Sequence, residues 1–433
     1  MADIMRNVTY ALGGEETTPG TPESRTAKVP LRGMPTIRKQ STKQTDPRIV
    51  GRNMAIGQYT TQEPVGGSLP LAPSPSAGLG MILNGWLGKE DSTVHQVGAC
   101  IRIRYTGTEA SAKISASSSG DTLTSETGAH GSESPDTNFG TSGDIDLAAT
   151  ATDTVGELVS TINGYTDYEA EKVFGEDSVD AGEIIDITES QGKNKWVYIW
   201  FTSASSGAYL HRWKLDLSDT ARPVYTGQKD RVHDNFIHTA VAINSMSWSG
   251  SLGGSLEADA ECLAFDETGG QSAYSGAALE SYRPYIFQGS HFSFDGDDWN
   301  IVRSWSLDGN NNMVEDGYGN EDLTRSYHEK NQFSASGSFE LRYTADVYGY
   351  RAKMLANQQV AMSSYFKSPD EIVDGIPGLL LIETPAAGLQ DYEPTEQDGR
   401  IRANIPYQVF APDGMYDAPL TVSMITADSS VYY

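Results

Sequence analysis

Phe333, Ala335, Gly337, Phe339, Leu341, Tyr343, Ala345 and Val347 alternate with Ser334, Ser336, Ser338, Glu340, Arg342, Thr344 and Asp346. Side chains two apart on a strand share a face, so this period predicts a long, half-exposed antiparallel strand over 333–347. Ile401, Ala403, Ile405, Tyr407 and Val409 alternate in the same way with Arg400, Arg402, Asn404 and Gln408. Two more strands, 239–249 and 255–265, flank Gly250, Leu252, Gly253 and Gly254 and predict a hairpin. In the second of these, Glu257, Asp259 and Glu261 occupy every second position. Three carboxylates on one face cannot enter a core, so that face must be wet.

The helical period surfaces twice. Leu79, Ile82, Leu83 and Trp86 fall at i, i+3, i+4 and i+7, with Ser76 placed to cap and Gly88 to terminate, which predicts an amphipathic helix over 77–87 lying on a sheet. Thr154 and Glu157 have capping-box spacing ahead of Val155, Leu158, Val159 and Ile162, which predicts a second helix. The latter sits in a stretch rich in Ser, Thr, Gly and acids. With the apolar run Trp196 to Phe201, that stretch reads as a small α+β domain, 102–207, inserted into a discontinuous body, 1–101 and 208–433. The insert is expected to be autonomous. Long antiparallel strands with a polar face leave edges that must be paired or blocked, and closure through neighbouring subunits would pair them.

Charge sharpens this picture. The chain has 58 acidic against 31 basic residues, a net charge of -27, which opposes any grip on nucleic acid. The surplus is uneven: 1–101 is +2, 102–207 is -12 and 208–433 is -17. Within the first block Arg25, Lys28, Arg32, Arg38, Lys39, Lys43, Arg48 and Arg52 face a single acid, Asp46, in a stretch broken by Pro30, Pro35 and Pro47. Proline there predicts an extended arm. The start of the chain shows no apolar signal-like core, the longest aliphatic run is Leu379 to Ile382, and Cys100 and Cys262 form no paired motif. A cytoplasmic product without membrane insertion or a disulfide framework is expected.

Several constellations fail as chemistry. The seven histidines never form HExxH, and His233 and His238 are five apart. No GxSxG elbow or P-loop occurs. The run from Asp308 to Asn312 imitates a calcium loop, but Met313 and Gly319 stand where Gly and a chelating Glu are required. Asp295, Asp297 and Asp298 offer a weak cation site against ordinary turn chemistry. Trp196, Trp200 and Trp213 suit a core, or sugar binding if exposed. No catalytic residue, metal or cofactor is nominated.

The order of elements nevertheless resembles a known family. Tyr10 to Pro22, the basic arm, the helix ending Leu83-Asn-Gly-Trp-Leu-Gly88, the strand from Ile243 to Gly254 and the late strands 333–347 and 400–410 are similar to the tail tube proteins of long-tailed phages. The resemblance covers about 8–101 and 208–427. It implies a mainly β, antiparallel sandwich or split-barrel subunit with one flanking helix. It further implies self-assembly into stacked, six-fold rings around a bore that passes the genome, in a virion tail also holding tape-measure, terminator and baseplate proteins. The block 102–207 departs from the minimal pattern and looks like an outer decoration. On this reading Glu257, Asp259, Glu261, Glu340 and Asp346 face the lumen, where they remove the brake that lysine or arginine would apply to sliding DNA. Arg32, Arg38, Lys39, Lys43, Arg48 and Arg52 form an arm that docks on an acidic patch of the next ring. The competing readings are a merely solvated acidic face, a nucleic-acid-binding arm, and a secreted or surface carbohydrate-binding β-sandwich.

Overall fold

The computed structural model describes residues 8–46, 57–88, 90–203, 206–218, 222–231, 234–276, 278–314, 317–318, 322–397, 399–412 and 418–432. The protein is mainly antiparallel β, as its alternating runs predict, with three helices among the described residues. Six strands lie side by side in the order Val65–Leu71, Glu257–Ala264, Asn235–Ser251, Val302–Asn310, Ser334–Arg342, Arg400–Val409. Their inward residues, among them Leu69, Ala260, Trp248, Leu307, Phe339 and Ile405, enter the principal core. A second layer, built from Ile286–Phe294, Gln359–Val373, Ile376–Leu389 and Thr421–Thr426, closes that core with Phe292, Phe366, Leu380, Ile382 and Met424.

Asn235–Ser251 is a corner. Its first half pairs with Tyr225–Asp230 and Asp266–Thr268, its second with Glu257–Ala264 and Val302–Asn310. At the change Ala240 adopts φ 48°, a left-handed backbone that costs a non-glycine residue energy and needs support. Support comes from both sides. The Ala240 amide donates to Glu16 Oε1 at 3.0 Å, and its carbonyl accepts from His328 Nε2 at 2.7 Å.

Helix α1, Ala77–Leu87, has the predicted ends: Ser76 Oγ accepts from the Leu79 amide, and Gly88 closes it at φ 95°. A Cβ at Gly88 would collide with the Arg222 guanidinium, which donates to the Leu87 carbonyl and so neutralises the helix's negative end. The helix is not amphipathic as expected. Residues 78–87 are all buried, because Tyr432 and the layers on either side leave α1 no wet face. Even its polar member, Asn84, is satisfied internally by Tyr225 Oη at 3.0 Å and the Tyr432 carbonyl at 2.7 Å.

The predicted strand 333–347 stops early. It ends at Arg342, and Ala345–Leu355 is helix α3, with Thr344 as its cap residue. Val347, Tyr350 and Met354 are buried at helical spacing, and Tyr350 Oη donates to the Phe294 carbonyl at 2.8 Å. Asp346 therefore lies on a helix, not on the polar face of a strand.

Residues 102–207 contain α2, Val155–Ile162, capped by Thr154 as predicted, and a five-stranded sheet. They share a core of their own with Ala99 and Ile101. The strand His95–Tyr105 runs through the expected boundary and serves both sides of it. A junction core joins Cys100, Phe174, Trp196, Tyr198 and Trp200 to Leu379, Leu381 and Ile425 of the second layer. Ile376–Leu389 is thus buried on both faces, Leu380 and Ile382 toward the principal core, Leu379 and Leu381 toward 102–207. The sequence of layers is polar sheet, second sheet, inserted block.

Candidate lumen and assembly surfaces

Alternation along six paired strands places polar residues in rows across one face. Ser68, Glu261, Ser245, Asn310 and Ser334 form one row in register; Pro70, Asp259, Ser247, Asp308, Ser336 and Gln408 form the next. Glu257, Ser249, Ser306, Ser338 and Pro406 follow, then Ser251, Ser304, Glu340 and Asn404. Apart from two prolines, no apolar side chain interrupts these rows. Short hydroxyls bind the acids in place: Ser245 Oγ donates to Glu261 at 3.2 Å, Ser247 Oγ to Asp308, and Ser304 Oγ to Glu340 at 3.4 Å.

The predicted lumen residues divide accordingly. Glu257, Asp259, Glu261 and Glu340 share this face, while residue Asp346 belongs to helix α3. Asp308, which the sequence offered only as a failed calcium ligand, belongs to the same face on Val302–Asn310. Its strand position was legible from the Ser304, Ser306, Asp308 alternation.

The predicted docking arm also divides. Arg32 lies against the protein's own acids, 3.3 Å from Glu257 and 2.5 Å from Asp259. Lys39 sits 3.0 Å from Glu63 and 2.8 Å from Asp266; burial alone would lower its pKa, but the two carboxylates outweigh it and raise the value. Arg402 likewise holds Glu340 at 2.8 Å. An arginine already engaged by a carboxylate is a poor partner for phosphate. Arg38 is exposed on the short strand Arg38–Lys39. Lys43 is exposed on Thr42–Thr45, which with Gln58–Gln62 forms a separate two-stranded ribbon. Arg48 and Arg52 lie outside the described residues.

Both edges of the polar sheet are covered from within, where neighbouring subunits were expected to pair them. Along Val65–Leu71 run residues 31–39, with Arg32 and Thr36 amides donating to the carbonyls of Pro70 and Ser68. Along Arg400–Val409 lie Thr395–Gln397 and the end of Ile376–Leu389. Proline at 30 and 35 limits further pairing on the first edge.

Other candidate chemistry is absorbed by structure. Asp295 pairs with Lys353, and Asp297 lies 3.6 Å from Arg104. Asp298 holds Arg102 at 2.6 Å and His291 at 2.8 Å; burial opposes its charge, but these two partners bring its pKa down to about 2. Trp196, Trp200 and Trp213 are fully buried, which removes the exposed aromatic set that sugar binding would use. Among the described residues no cluster of three or more metal-ligating groups occurs, and no helix is long and apolar enough to cross a membrane.

No curated protein matches the chain. The family model described as phage tail tube protein matches residues 6–409, running through the block 102–207 as well as the body on either side. A match over nearly the whole length, on a mainly β subunit of the kind the resemblance implies, settles the class: the chain belongs to the phage tail tube protein family and is a structural component of the virion tail.

Proposed function

We propose that this protein assembles into stacked rings, six-fold as the family resemblance implies, whose bore is lined by the polar sheet face and passes the genome without catalysis. The observation that carries the reading is the polar face across six strands, interrupted only by two prolines, with Glu257, Asp259, Glu261, Asp308 and Glu340 set among serines. Such a surface has carboxylates that repel phosphate and hydroxyls that hold water. Its arginines at 32 and 402 are tied to carboxylates, and Arg342 stands at the far end. Counterion release, the main source of DNA affinity, has little to act on. The block 102–207 decorates the outside, since it joins the second layer on the side away from the polar face. The ribbon holding Lys43 docks on the adjoining ring: a lone two-stranded ribbon is marginal in water and gains from a partner. Tape-measure, terminator and baseplate proteins are the remaining partners in this reading.

The test adds cations to the face without breaking an ion pair. Virions carrying Ser249→Lys and Ser336→Lys, both exposed, should form tails but release DNA more slowly at low salt, with recovery as salt rises. Release at the parental rate at every salt concentration would place this face elsewhere than the bore.

A further inference from the structure

Five of the large apolar side chains left exposed lie beside the two edges of the polar sheet. Tyr348, Leu355 and Ile401, 63%, 72% and 54% exposed, gather beside the Arg400–Val409 edge of the polar sheet. There the Tyr343 amide donates to the Ile401 carbonyl, and Tyr392 Oη donates to the Val347 carbonyl at 2.9 Å, so the start of α3 is fastened to that edge. Beside the opposite edge, Val29, Leu31, Met34 and Leu279 line an open groove of about 390 Å³, with Met34 and Leu279 half exposed. One edge thus carries apolar knobs and the other an apolar groove.

Charge follows the same division. From Arg25 to Lys39 the chain has five basic residues and no acid; Arg32 and Lys39 are neutralised internally, while Arg25, Lys28 and Arg38 make no ion pair among the described residues. From Leu389 to Gln397 it has Asp391, Glu393 and Glu396 and no base, all three exposed and in no ion pair among the described residues; the bases that follow, Arg400 and Arg402, lie on the edge strand itself, the latter held by Glu340. We infer that these two edges are the halves of one head-to-tail contact between copies of this chain. The knobs of Tyr348, Leu355 and Ile401 seat in the Val29 to Met34 groove of the next copy, and the acids at 391, 393 and 396 meet the basic rim of Arg25, Lys28 and Arg38.

Geometry favours this occupant. Joining unlike edges leaves the polar face of every copy turned the same way and propagates around a ring, whereas joining like edges is satisfied after two copies. Since strand backbone on both edges is already covered, side chains must make the contact, and charge complementarity sets its register. The inference rests on the ring reading above and names the surfaces that close the ring.

The test uses purified full-length chain, with wild-type rods or rings in negative stain as the control for the ring reading itself. Met34→Asp places an acid in the groove and Leu355→Lys a base on the knob, each repelled by the facing rim. Each variant alone should stay monomeric in sedimentation velocity. Mixed, they should associate again, because each retains the half that the other lost and the introduced acid and base attract where the two altered halves meet. Should either variant melt well below wild type, Leu279→Asp and Ile401→Lys replace them. Wild-type assembly together with assembly of either variant, or with no association in the mixture, overturns the inference and leaves the ring reading standing. Failure of the wild type to assemble overturns both.

Discussion

Trp200→Ala should weaken the body of the protein as well as the block that contains Trp200. The side chain is fully buried in the junction core, 6.1 Å from the Phe174 ring, and shares that core with Leu379, Leu381 and Ile425. Removing a buried tryptophan costs about 3–5 kcal/mol in transfer and cavity terms. That is a large part of the roughly 5–15 kcal/mol that holds a domain folded. Because Ile376–Leu389 also carries Leu380 and Ile382 of the principal core, the loss reaches both cores through one strand. Native-state hydrogen exchange reads this directly. Amides of Ile376–Leu389 that open with the junction should lose about two to three and a half orders of magnitude in protection, each 1.4 kcal/mol being tenfold.

Leu158→Ala is the internal control. Leu158 lies in the core of the inserted block, one layer beyond the junction, so a comparable loss of about 2–5 kcal/mol should lower the protection of the Ile376–Leu389 amides far less than Trp200→Ala does. Parental protection of that strand in Trp200→Ala would show that the junction carries no shared stability. The same reasoning governs excision. Cutting out 104–205 would uncover Leu379, Leu381 and Ile425, so the autonomy suggested by the texture of the sequence would have to survive a newly exposed apolar face.

The corner at Ala240 yields two more expectations. Glu16→Ala leaves the donors of Gly20, Thr226 and Ala240 without their acceptor and should cost about 2–4 kcal/mol in urea unfolding; a loss under about 1 kcal/mol would show that the bulge supports itself. Burial, aided by Arg325, pushes His328 down to about 4. With its folded value depressed below the ordinary 6.5 or so, this histidine contributes stability above that ordinary value and loses it as pH falls toward 4, by at most about 3 kcal/mol. His328→Gln keeps a donor for the Ala240 carbonyl and should flatten the fall in urea midpoint between pH 6.5 and 4; an unchanged slope would exclude His328 as its source.

Local chemistry explains which features the sequence made legible. The starts of α1 and α2 were readable because an N-cap is a side chain bonding to a backbone three residues away, and the end of α1 because only glycine takes the left-handed turn at 88 without strain. The Glu257, Asp259, Glu261 face was readable because period two is intrinsic to a strand. Helix α3 was not: Tyr343, Ala345 and Val347 continue the strand period while Val347, Tyr350 and Met354 begin a helical one, and Gly349 weakens the latter. Packing against Phe294 and Trp299 decides between them. Nor could any local signal pair Arg32 with Glu257, more than two hundred residues away, or lay a proline-broken arm along Val65–Leu71. The basic run was visible as charge, but its partners depend on topology.

That topology gives the charge distribution a physical sense. A subunit of net charge -27 resists packing beside its own copies, and at physiological salt such repulsion is screened beyond about 8 Å. What remains is decided at contact distance, where the stretch from Arg25 to Lys39 contains no acid at all. Two of its cations are held by carboxylates at 63, 257, 259 and 266, which makes them poor partners for phosphate. Of the others, Arg38 stands at the edge of the polar sheet, and Arg25 and Lys28 on the strand Arg25–Lys28, which pairs with Thr9–Glu15. Carboxylates dominate the wide face, while cations in no ion pair among the described residues stand at both margins, Arg25, Lys28 and Arg38 at one and Arg342 and Arg400 at the other, so the proposed contact between copies would bring together margins less acidic than the face between them.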